Sequence, residues 1–191
     1  MASEQTIIDE WDRVRAPNAP ELTSVQLKLK GTALLVLDIQ NNNCNQERRP
    51  RCIQKLHHIQ TLLDKARNSG MLVIYSLTSA ASKNDIRREI FPTKDETIIK
   101  ASVDKFHDTE LEQILIDNGI KTVIIVGTSA NGAVLHTTTG AATRGLEIII
   151  PVDAISSTYP YEEQYSVWHL MNAPGTRRKV ILTKSDMVKF V

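Results

Sequence analysis

Two polar segments of the sequence could carry catalytic chemistry, because each comes directly after a run of apolar residues. Asp38 and Gln40 follow the run ALLVL, and residues 127–133 (GTSANGA) follow the run TVIIV. A carboxyl group at the end of a buried strand can act as a general acid or base, since burial favours its neutral form and a nearby cation its charged form. Asp38 is therefore a candidate catalytic residue, although a turn-forming aspartate would occupy the same place.

The second segment leads into a helix that the sequence predicts over residues 131–143. Free N–H groups at the start of a helix stabilise a developing negative charge, as an oxyanion hole does. The candidate substrate-binding residues of this segment are Ser129, Ala130, Asn131 and Gly132. Any loop between a strand and a helix has some of this character, so the segment indicates a catalytic site only in combination with Asp38.

We expect neither a metal nor an organic cofactor. The five histidines show no metal-ligand spacing such as HExxH, and the first predicted strand is not followed by the GxGxxG pattern that brings a backbone close to a pyrophosphate. Cys44 and Cys52 are too few and too irregularly placed for a zinc site or a disulfide framework, so two free, non-catalytic thiols are expected. Lys100, which ends the run TIIK, would by itself be a solvated lysine.

Six apolar runs predict the strands that position these residues: 32–40, 71–78, 97–100, 122–127, 146–152 and 179–183. Helical periods lie between them, and two of these end at Gly70 and Gly119. The alternation predicts a three-layer αβα Rossmann-like fold with a mainly parallel six-stranded sheet in the order 3-2-1-4-5-6. In that order the first and fourth strands are neighbours, so the loop after Asp38 and residues 127–133 should face one crevice.

Length and charge limit the other possibilities. A chain of 191 residues fits one domain, and we divide it into an N-terminal arm (1–30) and a single α/β domain (31–191). The formal net charge of +1 gives no field that would attract nucleic acid or a membrane surface, so a small-molecule substrate is the better expectation. With neither a leader pattern nor a run of about 18 apolar residues, a cytoplasmic protein is expected.

Taken in order, ALLVLDIQ, KASVDKF and residues 109–156 resemble the isochorismatase-like hydrolase superfamily, which also contains nicotinamidases and carbamoylsarcosine amidohydrolases. The similarity extends from about residue 31 to the C-terminus. It implies that Asp38 and Lys100 form a catalytic pair and that Phe106, the end of a Lys-x5-Phe segment, and Gln40 contribute to the substrate site. It further implies a cis peptide within residues 128–130 and a homodimer or homotetramer.

The sequence departs from the cysteine-using members of this superfamily at one position. Their nucleophile stands in the first turn of the active-site helix, and the resemblance places that position at Ala133, whose methyl group cannot attack a carbonyl. Isochorismatases also have a small residue there, a glycine, and they hydrolyse a vinyl ether to release pyruvate. That reaction needs an acid rather than a thiol.

Three hypotheses follow. The leading one is a hydrolase of a small carboxylated metabolite, with isochorismate as a candidate, that uses Asp38 as the acid. The second is an amide C–N hydrolase whose nucleophilic cysteine is replaced by Ala133. The third is a catalytically silent binding module, against which the retention of both Asp38 and Lys100 argues.

Overall fold

The computed structural model describes residues 5–191, and in this part of the chain nine strands and four α-helices are found. The strands are β1 (Val25–Leu27), β2 (Thr32–Leu37), β3 (Leu72–Thr78), β4 (Thr97–Ala101), β5 (Thr122–Thr128), β6 (Glu147–Pro151), β7 (Ile155–Ser156), β8 (Val180–Thr183) and β9 (Val188–Phe190). The helices are α1 (Pro50–Asn68), α2 (Leu111–Asp117), α3 (Leu135–Thr143) and α4 (Pro160–Asn172). A π-helical segment, Ala130–Val134, runs directly into α3.

The main sheet is parallel and has the strand order β4-β3-β2-β5-β6-β8, with β7 paired to β5. These six strands are the six that the apolar runs predict, and their order confirms 3-2-1-4-5-6. The seventh strand, β7, was not predicted because its two residues are too few to produce a pattern.

Helices cover both faces of the sheet, as the composition of β2 requires. Leu34 and Val36 belong to one hydrophobic cluster together with the apolar face of α1, whereas Ala33, Leu35 and Leu37 belong to a second cluster with α2 and α3. Each of these β2 residues is at most 1% exposed. Because successive side chains of a strand point to opposite faces, an unbroken apolar run is buried on both sides and gives three layers.

Residues 17–27 of the predicted N-terminal arm contact its own domain, whereas residues 5–16 are exposed. Its residues Val25–Leu27 form β1, which pairs in parallel with β9 near the C-terminus, and Pro17 and Leu22 line a groove together with Trp168 of α4. A three-residue strand carries too little periodicity to be predicted. Within residues 5–191 no helix is long and apolar enough to cross a membrane.

Cys44 and Cys52 form a disulfide bond, so the prediction of two free thiols is wrong. Both side chains are fully buried, and the bond ties the loop after β2 to the first turn of α1 across a sequence separation of 8 residues. The count and spacing of two cysteines could not reveal this, because the pairing depends on how the loop folds back onto the helix. Since disulfides are typical of oxidising compartments, the cysteines lend no support to the expected cytoplasmic location.

Replacing both cysteines with alanine is expected to lower the free energy of unfolding by roughly 2–3 kcal/mol, because the unfolded chain regains the loop-closure entropy that the bond removes. Urea unfolding without reductant measures the loss. Reductant should produce a similar loss in the unmodified protein and none in the double variant. If the denatured, unreduced protein presents two reactive thiols, the disulfide does not exist in solution.

Candidate active site

Asp38 stands directly after β2 in a backbone conformation that is rare for its residue type. Its φ is 52°, in the left-handed region, and the residue is only 5% exposed. Its backbone N–H donates to the Ser76 carbonyl oxygen at 3.2 Å, and its Oδ1 accepts a hydrogen bond from Ser76 Oγ at 2.7 Å. Such residues persist where the surrounding structure holds them, and they cluster at functional sites.

A buried lysine completes this group, and it is Lys105. Its Nζ donates to Asp38 Oδ2 at 2.8 Å, to the Ser102 carbonyl at 2.6 Å and to the Ala101 carbonyl at 3.5 Å. The residue is 0% exposed, so three N–H donors meet three acceptors in the protein interior. We call this the Asp38–Lys105 pair; its hydrogen bonds are those of a carboxylate and an ammonium ion.

The prediction that Lys100 accompanies Asp38 is therefore wrong. Lys100 lies on β4, at the edge of the sheet, and its side chain is exposed while its neighbours Ile99 and Ala101 are buried. The alternation of the strand thus directs Lys100 to solvent. The segment after β4 then brings Lys105 to the carboxyl end of the sheet.

The loop that follows β5 has an irregular backbone. The Thr128-Ser129 peptide bond is cis, which confirms the expectation from the family resemblance. Gly132 has φ −118° and ψ −105° inside the π-helical segment, and a Cβ at this position would lie 2.6 Å from Ser129 Oγ. A residue larger than glycine would therefore displace Ser129.

The other predicted residues of this loop are mostly turned inward. Ala130 is 0% and Ala133 4% exposed, and Asn131 Oδ1 accepts a hydrogen bond from Ser157 Oγ at 3.0 Å. Ser157 follows β7, so the short strand that was not predicted supplies a partner for this loop.

Two contacts hold the end of β5 and the start of α3 next to the Asp38–Lys105 pair. Gly127 pairs with Leu37 in the sheet at a φ of 131°, and any side chain on Gly127 would overlap the Leu37 backbone just before Asp38. On the other side, the backbone N–H of Lys105 donates to Thr137 Oγ1 of α3 at 3.2 Å. The pair and the start of α3 are thus held together at the carboxyl end of neighbouring strands, where ligands of this architecture bind.

Gln40 and Phe106, both predicted to bind substrate, are buried and already engaged. Gln40 Oε1 accepts the Thr78 N–H at 2.9 Å, and its Nε2 donates to Thr78 Oγ1 at 3.2 Å. Phe106 is 5% exposed and packs beneath α3, where the Arg144 guanidinium lies 4.5 Å from the ring centroid. In this conformation both side chains support the site from within, and within residues 5–191 neither side chain hydrogen-bonds to Asp38. The backbone N–H of Gln40 donates to the Asp38 carbonyl oxygen at 3.0 Å.

A short segment pairs with the chain just after Asp38. The backbone of residues 85–87 bonds to that of residues 39–41: Asn41 donates to the Asp85 carbonyl at 2.7 Å, and Arg87 donates to the Ile39 carbonyl at 3.1 Å. Neither Asp38 nor Lys105 lines either of two cavities on the described surface, although Asn131 lines one of them. Asp38 is 5% and Lys105 0% exposed, so the pair lies below the surface in this conformation.

Sequence reasoning missed two residues whose side chains hydrogen-bond to the Asp38 carboxylate. Ser76 was visible as a serine inside the buried run LVIYSLT, a place where a polar group must find a partner. Lys105 lies in the same segment KASVDKF as Lys100, and no local pattern in this segment distinguishes a buried lysine from a solvated one.

Comparisons with known proteins found similar sequences and a similar fold. An N-carbamoylsarcosine amidase from an Arthrobacter species is 34% identical over 87 residues, 45% of this chain and 33% of the amidase, so the matched stretch spans about a third of that protein. The isochorismatase family protein YaaI of Bacillus subtilis is 28% identical over 160 residues, covering 73% of this chain and 88% of YaaI. The crystal structure of an isochorismatase family protein from Desulfovibrio vulgaris has a TM-score of 0.73 at 19% identity, over 82% of this chain and 95% of that one.

The fold and the site together define a class of protein. It consists of parallel α/β proteins with a buried carboxylate–lysine pair at the carboxyl edge of the sheet. The model of the isochorismatase domain matches residues 32–179, which include Asp38, Lys105 and the whole β5 loop. The chain therefore belongs to the isochorismatase family, whose members are hydrolases.

Proposed function

We propose that the protein hydrolyses a small carboxylated metabolite by proton transfer from Asp38, without a covalent intermediate on the enzyme. The observation that supports this most is the burial of the Asp38–Lys105 pair, near the loop in which the family resemblance assigns the nucleophile position to Ala133. A methyl group offers no electron pair, so the aspartate is the reactive group of the site. Hydrolysis of a vinyl ether such as isochorismate is a reaction that such a site can accelerate.

The proposed reaction begins with proton transfer from Asp38 to the methylene carbon of the enol ether. The resulting oxocarbenium ion takes up water at the ether carbon, the proton that this water loses returns to Asp38, and the hemiketal collapses to pyruvate and an alcohol. Asp38 must therefore carry a proton when the substrate is bound. Positioned general acids contribute about 10²–10⁴-fold to such rates.

A second candidate function is hydrolysis of an amide C–N bond with water as the nucleophile. It is favoured by the hydrogen bonds of the resting pair, in which Asp38 is a carboxylate and so is ready to accept a proton from water. The partial match to an N-carbamoylsarcosine amidase points to the same chemistry.

Parallel product assays separate the two candidates. Isochorismate, ureido acids and simple amides are supplied in turn, while pyruvate and ammonia are both measured. Acid catalysis predicts pyruvate release and a kcat/KM that falls as the pH rises, whereas base catalysis predicts ammonia release and a kcat/KM that rises with pH. Turnover of amides alone would overturn the leading proposal.

Introducing a thiol at the empty position, Ala133→Cys, tests the role assigned to this loop. The start of a helix lowers the pKa of a thiol, so we expect alkylation by iodoacetamide at least about tenfold faster than that of a cysteine at an equally buried position. Because both native cysteines are joined in the disulfide, the new thiol is the one free thiol of the chain. Ala142→Cys is a matched control, since Ala142 is 7% exposed and lies at the opposite end of α3.

The activity of this variant then discriminates between the candidates. Strong ammonia release from ureido acids would favour an amide hydrolase, and a reactive thiol without turnover would favour a pocket built for acid catalysis. A thiol that reacts no faster than the one at position 142 would mean that Ala133 is not at the nucleophile position.

A further inference from the structure

Arg49 is a half-buried arginine that precedes α1 and adjoins the loop of Asp38. Its Nη1 donates to the Asn43 carbonyl at 3.3 Å, and the side chain of Asn43 donates to the Asp38 carbonyl at 3.5 Å. One hydrogen-bonded residue therefore separates the guanidinium group from the backbone of Asp38. The Nε atom of Arg49 is buried and has no hydrogen-bond partner within residues 5–191.

The free edge of Arg49 is the edge that other arginines of this chain use to bind carboxylates. Arg51 and Arg67 each direct Nε and Nη2 at the two oxygens of one glutamate, with distances of 2.6–2.8 Å. Such two-pronged contacts are the geometry that guanidinium and carboxylate groups favour. In Arg49 neither Nε nor Nη2 contacts an acceptor among the described residues.

The charge of Arg49 is also poorly compensated. In the described part of the chain it forms no ion pair, unlike Arg51, Arg67, Arg87 and Arg144. Burial lowers the pKa of Arg49, and the adjacent Arg48 lowers it further, against the weaker attraction of Glu162 and Asp38. Glu162 Oε2 is itself occupied by the N–H groups of Thr158 and Tyr159. A buried cation without a partner is costly unless an anion joins it.

We propose that Arg49 binds the carboxylate of the substrate through Nε and Nη2, and so makes the site selective for small organic anions. That the anion is a substrate, with its reacting bond at Asp38, rests on the proposed function; the anion-binding edge itself does not. Arg49 lies inside the loop of residues 44–52 that the disulfide closes, which holds the guanidinium in place before the ligand arrives.

Titration of the protein with two anions and their neutral amides tests this assignment. Pyruvate and benzoate are compared with pyruvamide and benzamide by calorimetry, for the unmodified protein and for Arg49→Gln. A charge-assisted contact predicts that each anion binds about tenfold more tightly than its amide, or more, and that Arg49→Gln removes the difference. Arg48→Gln is the matched control: it removes the same charge from the exposed neighbouring arginine and should preserve the preference.

The signal of the Arg49 Nε–H group provides a second measurement that uses the unmodified protein. It is assigned in ¹H–¹⁵N spectra by its loss in Arg49→Lys, a variant that keeps the charge if Arg49→Gln fails to fold. A donor that gains a carboxylate acceptor moves downfield, so pyruvate or benzoate should shift this signal while the amides leave it in place. If neither anion moves it, or if Arg48→Gln weakens anion binding as much as Arg49→Gln, the assignment is wrong.

The calorimetric and spectroscopic measurements detect anion binding and do not depend on turnover of a substrate. Anion binding at Arg49 without pyruvate release from any substrate would refute the proposed reaction and leave the anion site standing. Pyruvate release with an unchanged KM in Arg49→Gln would support the proposed reaction and refute the anion site at Arg49.

Discussion

Replacement of Asp38 by asparagine is expected to lower kcat for hydrolysis at least about 100-fold, with a much smaller change in KM. Asparagine fits the site, because it tolerates a φ of 52° and its Oδ1 can still accept from Lys105. Its amide nitrogen can donate to Ser76 Oγ, which then acts as an acceptor. The variant thus retains the shape and loses the transferable proton, and steady-state kinetics on the substrate found in the product assays measures the effect.

Two further variants test whether the loss of kcat is specific to the proton of Asp38. Ser76→Ala removes one hydrogen bond from Asp38 and leaves its proton, so it should reduce kcat by about tenfold at most. Asp153→Asn alters an aspartate that is bonded to Ser185 and lies outside the pair, and kcat should stay as it is. Unchanged turnover in Asp38→Asn would exclude Asp38 from the chemistry.

The strands of the main sheet could be predicted because their sequence pattern has one physical cause. A strand buried on both faces must be mostly apolar. TALLVL and TVIIVGT meet this condition, and every residue in them is buried or partly buried. The βαβ handedness then leaves few possible orders for the sheet. β1, β7 and β9 have two or three residues each, and their pairing is decided by the packing of distant segments.

The candidate site was predicted in part for the same reason. The end of β2 and the start of the α3 region were predictable, since both follow from strand order. Lys105, Arg49 and the disulfide were not predictable, because each depends on the path of an irregular loop. In KASVDKF the strand pattern ends at Ala101, and nothing local indicates that the chain then turns back to bury Lys105.

Lys105→Met is expected to destabilise the protein by about 3–5 kcal/mol, because it removes one partner of a buried ion pair and leaves the other uncompensated. Methionine is close to lysine in length and fills the same space, so the loss reports the charge rather than a cavity. For a domain of this size the melting temperature should fall by about 10 °C. Calorimetry or urea unfolding at neutral pH measures both values.

The matched control is Lys100→Met, which makes the same exchange at the exposed lysine of β4 and should change stability by less than about 0.5 kcal/mol. Adding Asp38→Asn to Lys105→Met should restore part of the lost stability, since the remaining side chain is then neutral. This recovery distinguishes a broken ion pair from a packing defect, which Asp38→Asn would not repair. Equal effects of the two lysine variants, or losses that simply add in the double variant, would show that the Asp38–Lys105 pair does not hold the site together.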